Sequence, residues 1–463
     1  MALSAAATPL QRAFWFGQVD ARPLALFRIG LGALLALDWV LLWPDLGPLF
    51  SNAGIFENGG PLPAWKWTLF ALAPSPGGVQ ALWGVGLLAL LALTAGFRTR
   101  LSTFAAWVSL VSLHNRNSLL LTGGDRLVEL LLLTSLFTEL GACWSVDARL
   151  KPRPPLASAL GLRFLQLEVA LMYFFTARLK FRGLWTSGQG IWISLQHPGF
   201  LRPPGALLLQ VPALAKLLNF VVLGLELAFA FLAFSPLKRK VTVPLAIACA
   251  LAVQLGIFAN MRVGMFTAIM IWVNVLFLEP AWLDRLGLRV TALEAPPLAV
   301  TSRQKLAAGV LVLMVMLVTW DFVIGRRVPM PGPLRAVHSA ASLEQLFELF
   351  GVSYDVARWE AVGTRADGTT VEVLGEVAPG INPGPGWRYS PWYKLTFAEP
   401  LLERPTLARW VCRRYAEVSG TQLVSLTLNR RGHPPPLIGE PVAPDTVVEL
   451  WSGPCSTASA APP

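Results

Sequence analysis

Along this chain the apolar residues come in long runs with few polar interruptions, unlike the alternating or single-face patterns of a water-soluble fold. The runs lie at residues 24–43, 79–95, 101–113, 119–137, 160–181, 214–234, 241–258, 263–278 and 306–322. Most come close to the length that crosses a hydrocarbon core about 30 Å thick. The run at 101–113 is the shortest and ends in the polar stretch HNRN at 114–117. The pattern predicts an all-α polytopic membrane helix bundle of about nine spans. No cleavage site of small residues follows the first run, so it reads as a retained helix and not as a removed signal peptide.

From about residue 326 the pattern becomes that of a soluble fold. Ser342 and Gln345 form a capping box ahead of Leu343, Leu346, Phe347 and Phe350, which predicts a short amphipathic helix starting at Ser342. A hairpin over 358–373 is expected to turn at Asp367-Gly368, and a second helix to run from Pro405 to its stop at Gly420. Val424, Leu426 and Leu428 alternate as a strand, as do Val447, Glu449 and Trp451. The bundle is therefore expected to be followed by a small α+β domain.

Composition agrees with the pattern: 54% of the residues are hydrophobic and only 14% charged, too oily for a soluble chain of this size. The net charge of +11 would suggest nucleic acid in a soluble protein. Here the basic residues sit in short connections, so the expected partner is the lipid bilayer and not nucleic acid. Arg98 and Arg100, then Arg149, Lys151 and Arg153, then Lys238, Arg239 and Lys240, then Arg285, Arg289, Arg303 and Lys305 alternate with connections poor in basic residues. Nine spans with a cytoplasmic amino terminus put all four groups inside. The organisation expected is a cytoplasmic segment at 1–23, a transmembrane domain at 24–325, an extracytoplasmic domain at 326–455 and a disordered tail at 456–463. The localisation expected is the plasma (inner) membrane.

Candidate chemistry concentrates at residues 166–190, apolar enough to cross a bilayer yet carrying Glu168, Tyr173 and Lys180. At helical pitch Gln166, Tyr173 and Lys180 share a face. Charges at mid-membrane cost about 2.5–3.5 kcal/mol on insertion scales and normally face protein or a cavity. Lys180 reads either as a functional amine or as a lysine that snorkels beside Arg178 and Arg182, and Tyr173 as packing or a proton relay. Arg28 and Asp38, ten apart on one helix, cannot pair and each needs a partner elsewhere, whereas Arg126 and Glu129 are spaced to pair with each other. Glu226 reads as an interhelical bond or as the group that orients Lys180 or Arg28. Gly123-Gly124 reads as a turn before the fourth helix.

In order and spacing, LALFRIG at 24–30, LHNRNSL at 113–119, WSVD at 144–147, YFFTARLKFRGLW at 173–185, LEL at 225–227 and GMF at 264–266 resemble the vitamin K-dependent gamma-carboxylase family. More broadly they resemble the horizontally transferred transmembrane (HTTM) domain that this enzyme shares with many bacterial proteins. The likeness covers roughly residues 22–288. It implies a quinone-linked carboxylase or epoxidase at the outer membrane face, with a reduced quinone of the vitamin K or menaquinol type and a protein or peptide substrate outside. In the family a lysine deprotonates the hydroquinone, which reacts with oxygen to give a strong base. That base removes a glutamate γ-proton, carbon dioxide adds, and the quinone leaves as its epoxide. The matching lysine is Lys180, with Tyr173, Asn117, Glu226 and Gln254 as supporting polar residues. Asn117 and Gln254 stand where the family has histidines. They can hydrogen-bond but carry no proton at neutral pH, so epoxide formation is expected more readily than coupled carboxylation. The alternative is a non-catalytic scaffold that binds quinone or lipid and presents its outer domain to a partner.

The four histidines are scattered and no Cys-x-x-Cys spacing occurs, so no metal is expected. Cys143 and Cys249 fall in or beside membrane runs, whereas Cys412 and Cys455 lie outside, where an oxidising compartment would join them in a disulfide.

Overall fold

The computed structural model describes residues 7–55, 62–290, 300–325, 327–345, 347, 354–383, 389–397 and 404–455. Within these, each apolar run contains a helix: α1 (Arg22–Leu41), α2 (Pro76–Ala95), α3 (Thr99–Arg116), α4 (Gly123–Ser135), α5 (Ala159–Lys180), α6 (Pro212–Ala233), α7 (Arg239–Asn260), α8 (Phe266–Trp272) and α9 (Ser302–Val323). Six of them, α1, α2, α5, α6, α7 and α9, are long and apolar enough to cross a membrane. The other three fall short: α3 is less apolar, α4 has 13 residues, and α8 with its 3-10 continuation ends at Phe277.

Burial orders the bundle. The apolar stretch of α5 is 83% buried, against 22% for α2 and α9, so α5 is the central helix and those two are peripheral. Their outward faces carry bare apolar side chains such as Leu88 and Met316, which water would penalise and lipid accepts. Trp39 of α1 and Trp83 of α2 each donate an indole N–H to the other's carbonyl, at 2.8 and 2.9 Å.

The two ends of the bundle are built differently. At one end Asp147 of the WSVD motif caps α3, accepting from the Arg98 and Thr99 amides at 2.8 Å each and from the Thr99 hydroxyl at 2.7 Å. Burial alone would raise this carboxyl, but those donors hold it below its ordinary value. Arg28 donates to the Trp144 carbonyl at 2.5 Å, and Arg22 pairs with Asp20 and Asp284 at 2.7 and 2.6 Å. Strands β1 (Gln18–Asp20) and β2 (Leu156–Ser158) pair here too. The opposite end gathers the carboxyl-terminal ends of α1, α3 and α7 and the start of α4.

The polar stretch HNRN stays largely helical, since α3 continues through Arg116 and the break falls at a 3-10 turn, Ser118–Leu120. One expectation there is corrected: Gly123-Gly124 is not a turn. Thr122 and Asp125 form a reciprocal capping box that starts α4 at Gly123 and satisfies its first amides.

In the carboxyl-terminal part, β3 (Val356–Arg365), β4 (Thr370–Glu372), β5 (Leu423–His433) and β6 (Thr446–Pro454) make one antiparallel sheet in the order β4-β3-β5-β6. Helix α10 (Gly332–Ala340) precedes the sheet, and α11 (Arg404–Ser419) packs on it through Leu407, Val411 and Tyr415. Cys412 of α11 is joined to Cys455 at the end of β6, with their Cα atoms 5.8 Å apart. The helix expected to start at Ser342 is absent from its described part. Ser342 has φ +52°, which ends the preceding turn, and the residues that follow serve the bundle. Gln345 donates to the Arg126 carbonyl, and Phe347 stacks on Phe175 and meets Phe322 at a tilt. Tertiary packing has overridden a local helix signal. Leu346 and Phe350 of that expected helix, and the tail at 456–463, lie outside the described residues.

Candidate functional site

Where α1, α3, α4 and the start of α8 meet, they enclose a cavity of about 370 Å³. Its walls are largely apolar and aromatic, including Trp39, Phe50, Leu113 and Phe266. Its polar groups are few: Asp38, His114, Asn117, Asp125, Arg202 and Tyr389 are the chief ones. A small set of placed polar groups in an apolar concavity is what small-molecule sites look like.

His114 is the best-organised of them. Its Nδ1 lies 2.7 Å from Glu129 Oε1, and Glu129 Oε2 accepts from Arg126 at 2.9 Å. Glu129 is fully buried, so the ion pair and the imidazole are its means of replacing water. In the neutral tautomer whose Nδ1 donates to the carboxylate, the other nitrogen, Nε2, is an acceptor beside the cavity, 3.8 Å from Asp125 Oδ1. Helix geometry makes this possible: Asp125 and Glu129 stand one turn apart on α4, facing the last turn of α3.

Asp38 sits one turn before the end of α1. Protein surrounds it, yet its side chain is exposed, because it borders the cavity. Among the described residues its carboxylate accepts no hydrogen bond and forms no ion pair. Asn117 donates to the Leu49 carbonyl at 2.9 Å while its Oδ1 has no partner among the described residues. The cavity thus holds two acceptors, the Asp38 carboxylate and Asn117 Oδ1, that no donor among the described residues meets.

Lys180 is elsewhere. It does not snorkel. Buried to 3% exposure, it donates to Glu226 Oε1 of α6 at 2.7 Å, with its ammonium 4.4 Å from the centre of the Trp185 ring. Gln254 of α7 donates to the Tyr173 hydroxyl at 3.0 Å, and Gln166 donates to the Leu276 carbonyl at 2.7 Å. The polar face of α5 is therefore spent on bonds to α6, α7 and the segment after α8. Lys180, Tyr173, Glu226 and Gln254 are not among the residues lining the cavity; of the expected set only Asn117 is.

The sequence model of the HTTM domain matches residues 16–282, more than half of the 463. The chain belongs to the HTTM domain family. No curated protein and no solved structure matches it. The HTTM part holds α1 through α8 and almost every cavity wall, and with its apolar helices it makes this a multi-pass membrane protein. Tyr389 and Pro391 are the exceptions, reaching the cavity from beyond the HTTM match.

Sequence reasoning passed over His114, Asp125 and Tyr389. For the first two there was a usable signal: a histidine closing an apolar run, followed by two carboxylates spaced one helical turn apart. For Tyr389 nothing local marks a role, since it acquires one only by docking on a distant part of the chain.

Proposed function

We propose that this HTTM protein is a membrane enzyme that binds a reduced quinone through its head group in the cavity and removes a hydroxyl proton with His114. The observation that carries the proposal is the Glu129–His114 dyad facing an apolar cavity that also holds the unpartnered Asp38. A hydroquinone ring is flat, apolar on both faces and carries two hydroxyl donors. The walls offer aromatic surface and the acceptors Asp38, His114 Nε2 and Asn117 Oδ1, so the residues fit.

In this reading Nε2 of His114 takes the proton, Glu129 stabilises the imidazolium that forms, and Arg126 holds Glu129 in place. Asp38 accepts from the second hydroxyl and orients the ring. A ring seated between the apolar walls would displace water from the cavity and so strengthen each of these contacts. When bound, the reduced quinone supplies the electrons for reaction with oxygen. Lys180, the base that the gamma-carboxylase resemblance implies, is assigned here to positioning α5 against α6. Purified protein in lipid, given a menaquinol-type hydroquinone, oxygen and bicarbonate, is expected to form quinone epoxide, detected by chromatography. If no reduced quinone is turned over, the non-catalytic scaffold reading takes its place.

We further propose nine spans in a plasma membrane, with the basic end of the bundle in the cytoplasm and the cavity end, with the sheet domain, outside. The alternation of basic connections supports this. A reporter enzyme active only outside the cytoplasm is expected to be on when fused after Gly420 and off when fused at Lys240. The opposite pattern would reverse the sidedness.

A further inference from the structure

The carboxyl-terminal segment around Pro391–Phe397 docks on the HTTM bundle through a set of matched contacts. Trp392 donates its indole N–H to Asp45 Oδ1 at 2.7 Å. The Tyr393 ring lies on Gly199 so closely that a Cβ there would fall 1.9 Å from the ring, so no other residue fits. Tyr393 also meets Phe200 edge-on at 5.5 Å, and the Lys394 ammonium stands 5.7 Å from the centre of the same phenylalanine ring. These contacts carry Tyr389, just upstream, to the cavity wall. There its ring lies beside Gly264, whose φ of +62° is a conformation that side chains rarely adopt.

The environment of the Tyr389 hydroxyl decides what it can do. Burial, and then the negative charges of Asp125 and Asp38, raise this phenol far above its ordinary value, so it stays protonated. Among the described residues the hydroxyl makes no hydrogen bond. The HTTM walls hold the unmet acceptors Asp38 and Asn117 Oδ1, and the carboxyl-terminal segment adds a neutral donor to the same cavity.

We propose that Tyr389 is a substrate-contacting residue, donating a hydrogen bond to a head-group oxygen opposite Asp38 and His114, so that the site is completed by a segment outside the HTTM domain. This rests on the quinol reading of the cavity. It goes beyond that reading in giving the carboxyl-terminal region a part in binding. An oxygen that loses its proton to His114 gains negative charge, and a fixed neutral donor is the group that favours it. The effect should therefore appear in turnover as well as in affinity.

The test uses the full-length protein in lipid, with a short-chain benzoquinone and its hydroquinone as probes. Tyr389→Phe keeps the ring on Gly264 and removes only the hydroxyl. It is expected to weaken binding of the quinone, measured by calorimetry, about tenfold, to lower kcat, and to leave the thermal unfolding temperature unchanged. Independently of any ligand, a photo-reactive benzoylphenylalanine at position 389 should cross-link to the peptides around Gly264 or Asp125, identified by mass spectrometry. If the native protein binds the probe and Tyr389→Phe binds it equally well, the contact is overturned while the quinol reading stands. If cross-links form only within the carboxyl-terminal region, the wall itself is overturned. If the cross-links form as expected but the native protein binds no quinone, the quinol reading fails and this ligand assignment fails with it.

Discussion

Replacing His114 by alanine is expected to lower quinol turnover by about 10²–10⁴-fold, the usual contribution of a positioned general base. The expectation comes from geometry: His114 is the one imidazole among the residues lining the cavity, and its Nδ1 is already committed to Glu129 at 2.7 Å. Glu129→Gln should cost less than His114→Ala but more than a surface change, because an amide can still meet the ring while offering no charge to the imidazolium. It also strands Arg126, which is buried beside it. Quinone binding should survive in His114→Ala, since the apolar walls and Asp38 remain, so the loss should fall on kcat. Undiminished turnover in His114→Ala would remove this residue from the mechanism.

The second large effect concerns the Lys180–Glu226 pair. Either partner removed alone, as Lys180→Met or Glu226→Leu, is expected to cost about 3–5 kcal/mol of stability, because the remaining charge is buried without its counter-charge. Glu226 is especially exposed to this loss: its second oxygen, Oε2, has no partner among the described residues even in the native protein. The double variant Lys180→Met with Glu226→Leu should recover most of the deficit, since two apolar side chains of similar volume avoid the desolvation of both ions. Unfolding of the purified protein in mild detergent, followed for the four proteins together, measures it. Lys180→Arg separates the two roles of the lysine. A guanidinium can keep the ion pair but cannot act as a base. Retained turnover in Lys180→Arg would leave Lys180 as a positioning residue. Lost turnover with intact stability, alongside an active His114→Ala, would return the base to Lys180.

Much of the architecture was legible because the governing rule is local. A run of residues long enough to cross the hydrocarbon must close its hydrogen bonds within itself, and this made α1, α2, α5, α6, α7 and α9 visible as helices. The hairpin at Asp367-Gly368, the stop at Gly420 and the paired spacing of Arg126 and Glu129 are local as well, and each forms. Ser342 shows the limit. Its capping box was a sound local signal, but Gln345 and Phe347 gain more from the Arg126 carbonyl and from Phe175 and Phe322 than a short helix returns.

The candidate site belongs to the other kind of information. That residues 166–190 carried buried polar groups followed from the sequence. Of their partners, the sequence offered Glu226 for Lys180 or Arg28 and the structure decides for Lys180, whereas Tyr173 and Gln254 are brought together only by the packing of the helices. Those bonds turned the most conspicuous lysine of the chain into half of an ion pair. Asp38 is the converse: on its helix it looked like a charge awaiting a partner, and in the fold it borders open space. A cavity has no sequence pattern of its own, because it is the volume that several elements leave between them, and one of its walls, Tyr389, is added from outside the membrane bundle. The sequence by itself determined the solvent each segment prefers and where its backbone bonds close, since both depend on near neighbours along the chain. The tertiary structure alone decided which polar side chains are satisfied and which are left facing a ligand, since that depends on groups distant in sequence that only packing brings within reach.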